Sequence, residues 1–147
     1  MKDVCARLIG ETIISCQAYE DTPLYGAENM KKMAECAIMG GAKAIRSCWK
    51  QDIEAIRSLS KDLIIIGIDK VIDPEKEPGT YPIITPSFES VREIVEAGAN
   101  VVALDCTVYE SRGKEEIFNL LKQIHDAYPD IAVMADTACL EDAKFVS

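Results

Sequence analysis

The sequence contains no apolar run that approaches the roughly 20 residues a membrane-spanning helix requires. Residues 1–4 also lack the start of an apolar secretory signal. The six cysteines include no C-x-x-C pair, and disulfide frameworks are typical of shorter, loop-rich secreted chains. We therefore expect a cytoplasmic protein with reduced thiols and no membrane partner.

Positive charge is scarce in this chain. It has 16 Lys and Arg against 25 Asp and Glu, which gives a formal net charge of −9. A nucleic-acid partner requires a basic stripe that displaces counterions, so this composition argues against one. A small anionic substrate is compatible with the charge, because one helix N-terminus and one arginine suffice locally.

The sequence also lacks the usual signatures of cofactor and metal sites. Neither G-x-G-x-x-G nor G-x-x-x-x-G-K is present, so no dinucleotide or nucleotide cofactor is expected. The one histidine, His125, has no clustered ligands around it, so no metal is expected. A length of 147 residues with 48% hydrophobic residues fits one ordinary globular domain.

Short apolar runs alternate with amphipathic stretches five times along the chain. This alternation is typical of βαβ units and a parallel sheet. The predicted strands lie at 12–16, 42–45, 63–68, 101–104 and 131–135. The predicted helical faces lie at 30–38, 53–59, 88–95, 117–128 and 140–145. The extended piece at 81–84 is interpreted as an insertion, because Pro82 is unsuited to a central strand.

Five strands fit either an open doubly wound sheet or the first units of a (βα)8 barrel. Polar residues close the predicted strands at their C-terminal ends, namely Gln17, Arg46, Lys70, Asp105 and Asp136. In a barrel these ends form the catalytic face. We therefore expect residues 1–147 to form a single, partial TIM-barrel domain of about five of the eight βα units.

Lys70 is the first candidate for chemistry. It shares strand parity with Ile66 and Ile68, so its side chain is expected to project at the mouth of the sheet. Partial burial disfavours the charged form of a lysine, which suits proton transfer or Schiff-base formation. A lysine that bends into solvent beside Asp69 explains the spacing equally well.

The other polar residues each have two interpretations. Asp105 and Asp136 can act as acid or base and bind sugar hydroxyls, or they can cap the following helices. Arg46 at a buried strand end is expected to bind a negatively charged group. This group is either part of a substrate or the carboxylate of a neighbouring residue. Gln17 suits a carbonyl or hydroxyl, although a satisfied structural amide is equally common. Cys16 is predicted to be a core residue, since no partner histidine is present.

Several motifs resemble one known family in both their order and their spacing. They are ISCQA at 14–18, PL at 23–24, GGA at 40–42 before AIR at 44–46, IGI at 66–68 ahead of Lys70, ITP at 84–86, AGA at 97–99, ALD at 103–105 with Thr107, and MAD at 134–136. The chain resembles the N-acylglucosamine-6-phosphate 2-epimerase (N-acetylmannosamine-6-phosphate 2-epimerase) family. That resemblance implies a phosphate-binding (βα)8 barrel that interconverts N-acetylmannosamine 6-phosphate and N-acetylglucosamine 6-phosphate in sialic acid breakdown.

The resemblance also implies roles for individual residues. Lys70 matches the acid/base lysine of the family, and Gln17, Arg46 and Asp136 match substrate-binding positions. We add Asp105 to the predicted substrate-binding residues because of its place at a strand end. The substrate would be a small phosphorylated amino sugar. The family's second catalytic glutamate and its Gly-rich phosphate cup have no counterpart in this sequence.

Two other functions compete with an epimerase. One is a non-catalytic barrel remnant or assembly subunit, and the other is an aldolase that uses Lys70 as a Schiff base. The predicted first and fifth strands are apolar and would form open edges, which favour self-association. We therefore expect a homodimer.

Overall fold

The computed structural model describes residues 2–147, with side chains from residue 4 onward. Within these residues six helices alternate with five strands. They are α1 Lys2–Leu8, β1 Ile13–Cys16, α2 Ala27–Met39, β2 Ala44–Cys48, α3 Lys50–Arg57, β3 Ile64–Ile68, α4 Phe88–Glu96, β4 Val101–Asp105, α5 Lys114–Ala127, β5 Ala132–Asp136 and α6 Leu140–Val146. None of the helices in this described part of the chain is long and apolar enough to cross a membrane.

The order of the strands decides between the two architectures. All neighbouring strands are parallel, and the sheet runs β1-β2-β3-β4-β5. Strands that are adjacent in space in the same order as in sequence form the wall of a barrel, whereas a doubly wound sheet reverses its order at a switch point. The prediction of a partial (βα)8 barrel is confirmed.

The two faces of the sheet carry two separate apolar clusters. The outer face packs under the helices and includes Ile45, Ile65, Val102 and Leu104. The inner face comprises Ala44, Cys48, Ile64, Ile66, Ile68, Val101, Ala103 and Ala132. Strands covered on both faces are continuously apolar, which is why β3 and β4 were recognisable as short apolar runs. All five residues of each of these strands are buried.

Helix α1 was not predicted from the sequence. Val4 and Leu8 of this helix pack against the inner cluster, and Arg7 Nη2 donates to the Asp62 carbonyl oxygen at 2.7 Å. A helix of seven residues with two such apolar contacts is too short to show a helical period. Its position depends on the sheet beneath it.

The second strand was predicted at 42–45, so the prediction starts two residues too early and ends three residues too early. Helix α2 ends at Met39 and is followed by Gly40 and Gly41. Strand β2 then runs over Ala44–Cys48. The polar side chains of Arg46 and Ser47 concealed the second half of this strand. Arg46 therefore lies inside β2 and does not close it, which corrects the sequence prediction.

Helix α3 contains a buried carboxylate without a partner. Asp52 lies in the first turn of this helix and is only 1% exposed. Neither of its carboxylate oxygens has a hydrogen-bond partner among the described residues. Burial disfavours the charged form, which raises the pKa of Asp52 from 3.8 to about 6. This carboxylate is therefore a cost to folding near neutral pH.

We expect Asp52→Asn to be more stable than the parent chain near neutral pH, by about 2 kcal/mol. The folded chain binds the Asp52 proton more tightly than the unfolded chain. The stabilisation from protonated Asp52 is therefore complete below pH 3.8 and is lost as the pH rises to about 6. Urea unfolding across this pH range measures the difference.

The matched control is Asp130→Asn, which changes an exposed aspartate after α5. It should leave the pH dependence of the parent unchanged, whereas Asp52→Asn should flatten it. Equal pH dependence in the two variants would contradict the assignment of this slope to Asp52.

Candidate functional site

The five predicted site residues lie at the same end of the sheet. Asp105 and Asp136 are the last residues of β4 and β5 and are in register with each other. Gln17 comes one residue after β1, and Lys70 comes two residues after β3. Arg46 lies two residues before the end of β2. All five therefore lie at the C-terminal end of the barrel wall, which we call its mouth.

Arg46 and Asp136 form an ion pair across the inside of this wall. Arg46 Nη2 lies 2.5 Å from Asp136 Oδ2, and Nη1 lies 3.3 Å from Oδ1. In a flat sheet, strands β2 and β5 would stand about 14 Å apart, since neighbouring strands are spaced by ~4.8 Å. The contact therefore requires the sheet to curl. It also shows that Arg46 has a carboxylate partner within the chain, one of the two interpretations of this arginine.

Asp105 organises the loop that follows β4. Its carboxylate accepts from the Thr107 backbone N–H and from the Tyr109 hydroxyl, both at 2.8 Å. Burial, followed by this bond to Asp105, raises the pKa of Tyr109. The buried Arg112 side chain donates to the Asp105 carbonyl oxygen through Nη2. Each carboxylate oxygen of Asp105 still has a lone pair for a further donor.

Neither aspartate caps a helix, so that alternative interpretation is wrong. The residue before α5 is Gly113, far along the chain from Asp105. The residue before α6 is Cys139, three residues beyond Asp136. Both carboxylates are instead used at the mouth of the wall.

Lys70 is held at both its backbone and its side chain. Its carbonyl oxygen accepts from Trp49 Nε1 at 3.2 Å, and its backbone forms an antiparallel bridge with Ile84. Its Nζ donates to the Tyr19 hydroxyl at 2.8 Å and lies 4.7 Å from the centre of the Tyr19 ring. The half-buried lysine is thus directed against Tyr19, and this hydrogen bond lies at the solvent-exposed surface of the site.

A buried threonine fixes the chain next to Lys70. The Thr85 hydroxyl donates to the Ala103 carbonyl oxygen at 2.7 Å and accepts from the Asp69 N–H at 3.1 Å. Thr85 has a φ of 46°, a left-handed conformation that is unfavourable for a β-branched residue. Segment 83–85 therefore links the end of β3 to β4 and fixes the position of the backbone at Lys70.

Three rings beside Lys70 form what we call the aromatic cluster, Tyr19, Tyr25 and Trp49. The ring centre of Trp49 lies 6.0 Å from that of Tyr19 and 6.3 Å from that of Tyr25, each with an interplanar angle of 76°. None of these three rings was predicted as a site residue from the sequence. The sequence offered one indication of Tyr19. It lies two residues after Gln17, so in an extended segment after β1 both side chains would point to the same side.

Two clefts flank Lys70. The first has a volume of about 580 Å³ and is lined by Tyr19, Glu20, Asp21, Tyr25, Trp49, Gln51, Lys70 and Ile72. The second has a volume of about 550 Å³ and is lined by Tyr19, Lys70, Ile72, Asp73, Pro74, Lys76, Pro78, Tyr81, Ile83 and Ile84. Both volumes are suitable for a small-molecule ligand. Lys70 forms a wall of each cleft.

Gln17 and two buried cysteines also lie near the ends of β1 and β2. Gln17 Nε2 donates to the Ser15 hydroxyl oxygen at 2.8 Å, so its amide is partly satisfied within the chain. Cys16 is buried in the outer core, and burial raises the pKa of its thiol, which confirms it as a core residue. Burial also raises the pKa of Cys48, beneath Lys70, to about 12. Neither thiol is suited to nucleophilic chemistry.

This arrangement combines the groups that a proton transfer on a polyhydroxylated anion requires. A lysine amine, a guanidinium, two carboxylates and an amide lie at the same end of the wall, and the guanidinium of Arg46 contacts the carboxylate of Asp136 directly. The amine can move a proton, and the others can bind hydroxyl or carbonyl oxygens.

Comparisons with known proteins identify one family. A profile of the family described as "Putative N-acetylmannosamine-6-phosphate epimerase" matches residues 30–147. A relative from Listeria monocytogenes serotype 4b (strain F2365), named "Putative N-acetylmannosamine-6-phosphate 2-epimerase", is 39% identical over 142 residues, which cover 97% of this chain and 59% of the relative. A relative of the same name from Caldanaerobacter subterraneus subsp. tengcongensis is 39% identical over 140 residues, which cover 95% and 57%.

A solved structure gives the same answer. The N-acetylmannosamine-6-phosphate 2-epimerase from Clostridium perfringens superposes with a TM-score of 0.77 at 34% identity, over 92% of this chain and 58% of that chain. The chain thus spans less than two thirds of the length of the relatives it matches. The order of the motifs, the sequential barrel wall and these matches agree, and the chain belongs to the N-acetylmannosamine-6-phosphate epimerase family.

Proposed function

We propose that this chain provides the proton-transfer and sugar-binding part of an enzyme that interconverts N-acetylmannosamine 6-phosphate and N-acetylglucosamine 6-phosphate. The observation that carries the proposal is the position of Lys70 at the same mouth as the Arg46–Asp136 pair. The names of the relatives support this substrate. The proposal places the reaction in sialic acid breakdown in the cytoplasm, where the six cysteines stay as free thiols.

The chemistry of epimerisation explains the need for such a lysine. In the open-chain sugar the C2 proton is acidic, because it lies next to the C1 aldehyde. Lys70 accepts this proton on its amine nitrogen, the electron pair of the C2–H bond forms the C1–C2 double bond, and the carbonyl π pair moves to the C1 oxygen to give an enolate. Lys70 alone can exchange the C2 proton, whereas inversion of C2 also needs a second acid that donates a proton from the opposite face, the role that the resemblance implies for the family's second catalytic glutamate. Donors that stabilise the enolate oxygen lower the barrier.

The other residues bind the sugar in this proposal. A guanidinium only donates hydrogen bonds, so Arg46 binds and orients an oxygen in this proposal and does not transfer a proton. Asp136 fixes the guanidinium in place and accepts from sugar hydroxyls. Gln17 can donate to a carbonyl oxygen, and Asp105 can accept from a further hydroxyl.

We also propose that the chain self-associates, as a homodimer in the simplest case. The edge strand β1 exposes 38% of Ile13 and 36% of Ile14, and the edge strand β5 exposes 38% of Val133. Apolar edge strands with unpaired backbone groups favour association with a second edge.

Lys70→Ala is expected to abolish exchange of the C2 proton with deuterated solvent, because the base would be missing. Proton NMR of N-acetylmannosamine 6-phosphate incubated with the chain measures this exchange. Lys122→Ala, which removes an exposed lysine from α5, is the control and should exchange at the parent rate.

A Lys70→Ala chain that stays folded by circular dichroism and still exchanges C2 would remove Lys70 from the mechanism. Borohydride treatment with the substrate should trap no adduct, since proton transfer forms no imine. An adduct on Lys70 would favour the aldolase alternative.

Arg46→Lys should raise KM by about tenfold with a smaller effect on kcat, because the two-pronged contact of the guanidinium is lost. Arg92→Lys is a matched control. Arg92 lies on α4 and forms an ion pair with Glu89 at the same distance of 2.5 Å, but at the surface. An effect of Arg46→Lys on kcat alone would contradict a binding role.

Sedimentation equilibrium over a range of concentrations is expected to show self-association of the parent chain. Ile14→Lys should weaken it, because a charge at an edge strand opposes edge pairing. Ile9→Lys is the control, since Ile9 is 81% exposed but lies outside the strands. A parent chain that stays monomeric at all concentrations would contradict the proposed self-association.

A further inference from the structure

The surface on one side of Lys70 is aromatic. The Tyr19 ring centre lies 4.7 Å from Lys70 Nζ, and Trp49 contacts Tyr19 edge-on. Trp49 also holds the Lys70 carbonyl oxygen at 3.2 Å. A group bound next to the amine on this side therefore meets ring faces and edges, which favour apolar groups.

The charge of the same cleft is unfavourable for an anion. Glu20 and Asp21 line it, and Lys70 is the only cation among the described residues that do so. Burial and then the neighbouring Glu20 raise the pKa of Tyr25, and the buried carboxylate of Asp52, one residue from the lining residue Gln51, makes a smaller contribution in the same direction. A phosphate would be repelled here, whereas a neutral group would not.

The chemistry at C2 determines what lies next to the lysine. C2 carries both the proton that Lys70 removes and the nitrogen of the acylamino group. A lysine within hydrogen-bond distance of that proton therefore has the acyl group as its neighbour. The phosphate is on C6, at the other end of the open-chain sugar. With C2 at Lys70, the acyl group can therefore reach the aromatic cluster while the phosphate on C6 stays away from Glu20 and Asp21.

We propose that the aromatic cluster of Tyr19, Tyr25 and Trp49 is the subsite that binds the N-acyl group on C2 and makes the chain select N-acylated sugar phosphates. This inference depends on the proposed function, because it places C2 at Lys70. Gln51 lines the same cleft and supplies an amide for the acyl carbonyl.

The test is an NMR titration of the chain with N-acetylmannosamine 6-phosphate carrying a ¹³C-labelled acetyl methyl group. Filtered NOEs are expected from this methyl group to the rings of Tyr19 and Trp49. Trp49 is the single tryptophan, so its indole N–H gives one resolved signal. That signal should shift with the acetylated sugar and stay in place with mannose 6-phosphate, which has a hydroxyl at C2.

Substitutions in the aromatic cluster test whether its contact with the acyl group contributes to the affinity for the acetylated sugar. Tyr19→Ala should weaken binding of N-acetylmannosamine 6-phosphate by about fivefold, the effect of losing one ring contact with a methyl group. It should weaken binding of mannose 6-phosphate to a smaller extent, because this sugar lacks the methyl group and is affected only through the lost hydrogen bond between Tyr19 and Lys70. Trp49→Phe should do the same to a smaller extent. Phe118→Ala removes an exposed ring from α5 and should change neither affinity.

The outcomes separate this inference from the proposed function. If C2 exchange occurs but the methyl group shows no NOE to the cluster, or Tyr19→Ala weakens both sugars equally, the subsite is wrong and the function stands. If the NOEs are present and C2 never exchanges in the parent chain, the proposed function is wrong and the subsite stands. Absence of binding by both sugar phosphates overturns both.

Discussion

The contact between Arg46 and Asp136 depends on the curvature of the sheet, and the site depends on the same curvature. The two residues are on β2 and β5, with β3 and β4 between them, yet their side chains meet at 2.5 Å. Strands that curl this far turn one face inward, so the side chains at their C-terminal ends converge. An open sheet would leave the same residues spread along an edge with no shared ligand.

The curled wall would not position Lys70 without the loops around it. Trp49, just after β2, binds the Lys70 carbonyl oxygen, and Tyr19, after β1, binds its amine. Thr85 links the strand before Lys70 to β4 through its hydroxyl. Three different loops therefore determine where one amine lies. A site built in this way combines a rigid wall with loops that can vary, which is how barrels acquire different chemistries.

The sequence predicted most of the wall because buried parallel strands are short, apolar runs. It failed where tertiary contacts outweigh local pattern. Arg46 and Ser47 are polar within β2, so the strand was placed too early, and α1 is too short to show a period. The sequence alone could place Lys70 at a strand end. It left open whether Arg46 binds a substrate anion or a carboxylate of the chain, and Asp136 could be identified as its partner only once the curvature of the sheet was known. Tyr19 was missed because its role comes from the path of a loop.

The most direct test of this account is a double-mutant cycle on the ion pair that spans the wall. The free energy of unfolding is measured for the parent, for Arg46→Ala, for Asp136→Ala and for the double variant. The account predicts that the two single effects fail to add by about 0.5–1 kcal/mol, as expected for a partly exposed ion pair in direct contact. Strict additivity would mean that β2 and β5 do not meet at the mouth, and would contradict the curled wall on which the site depends.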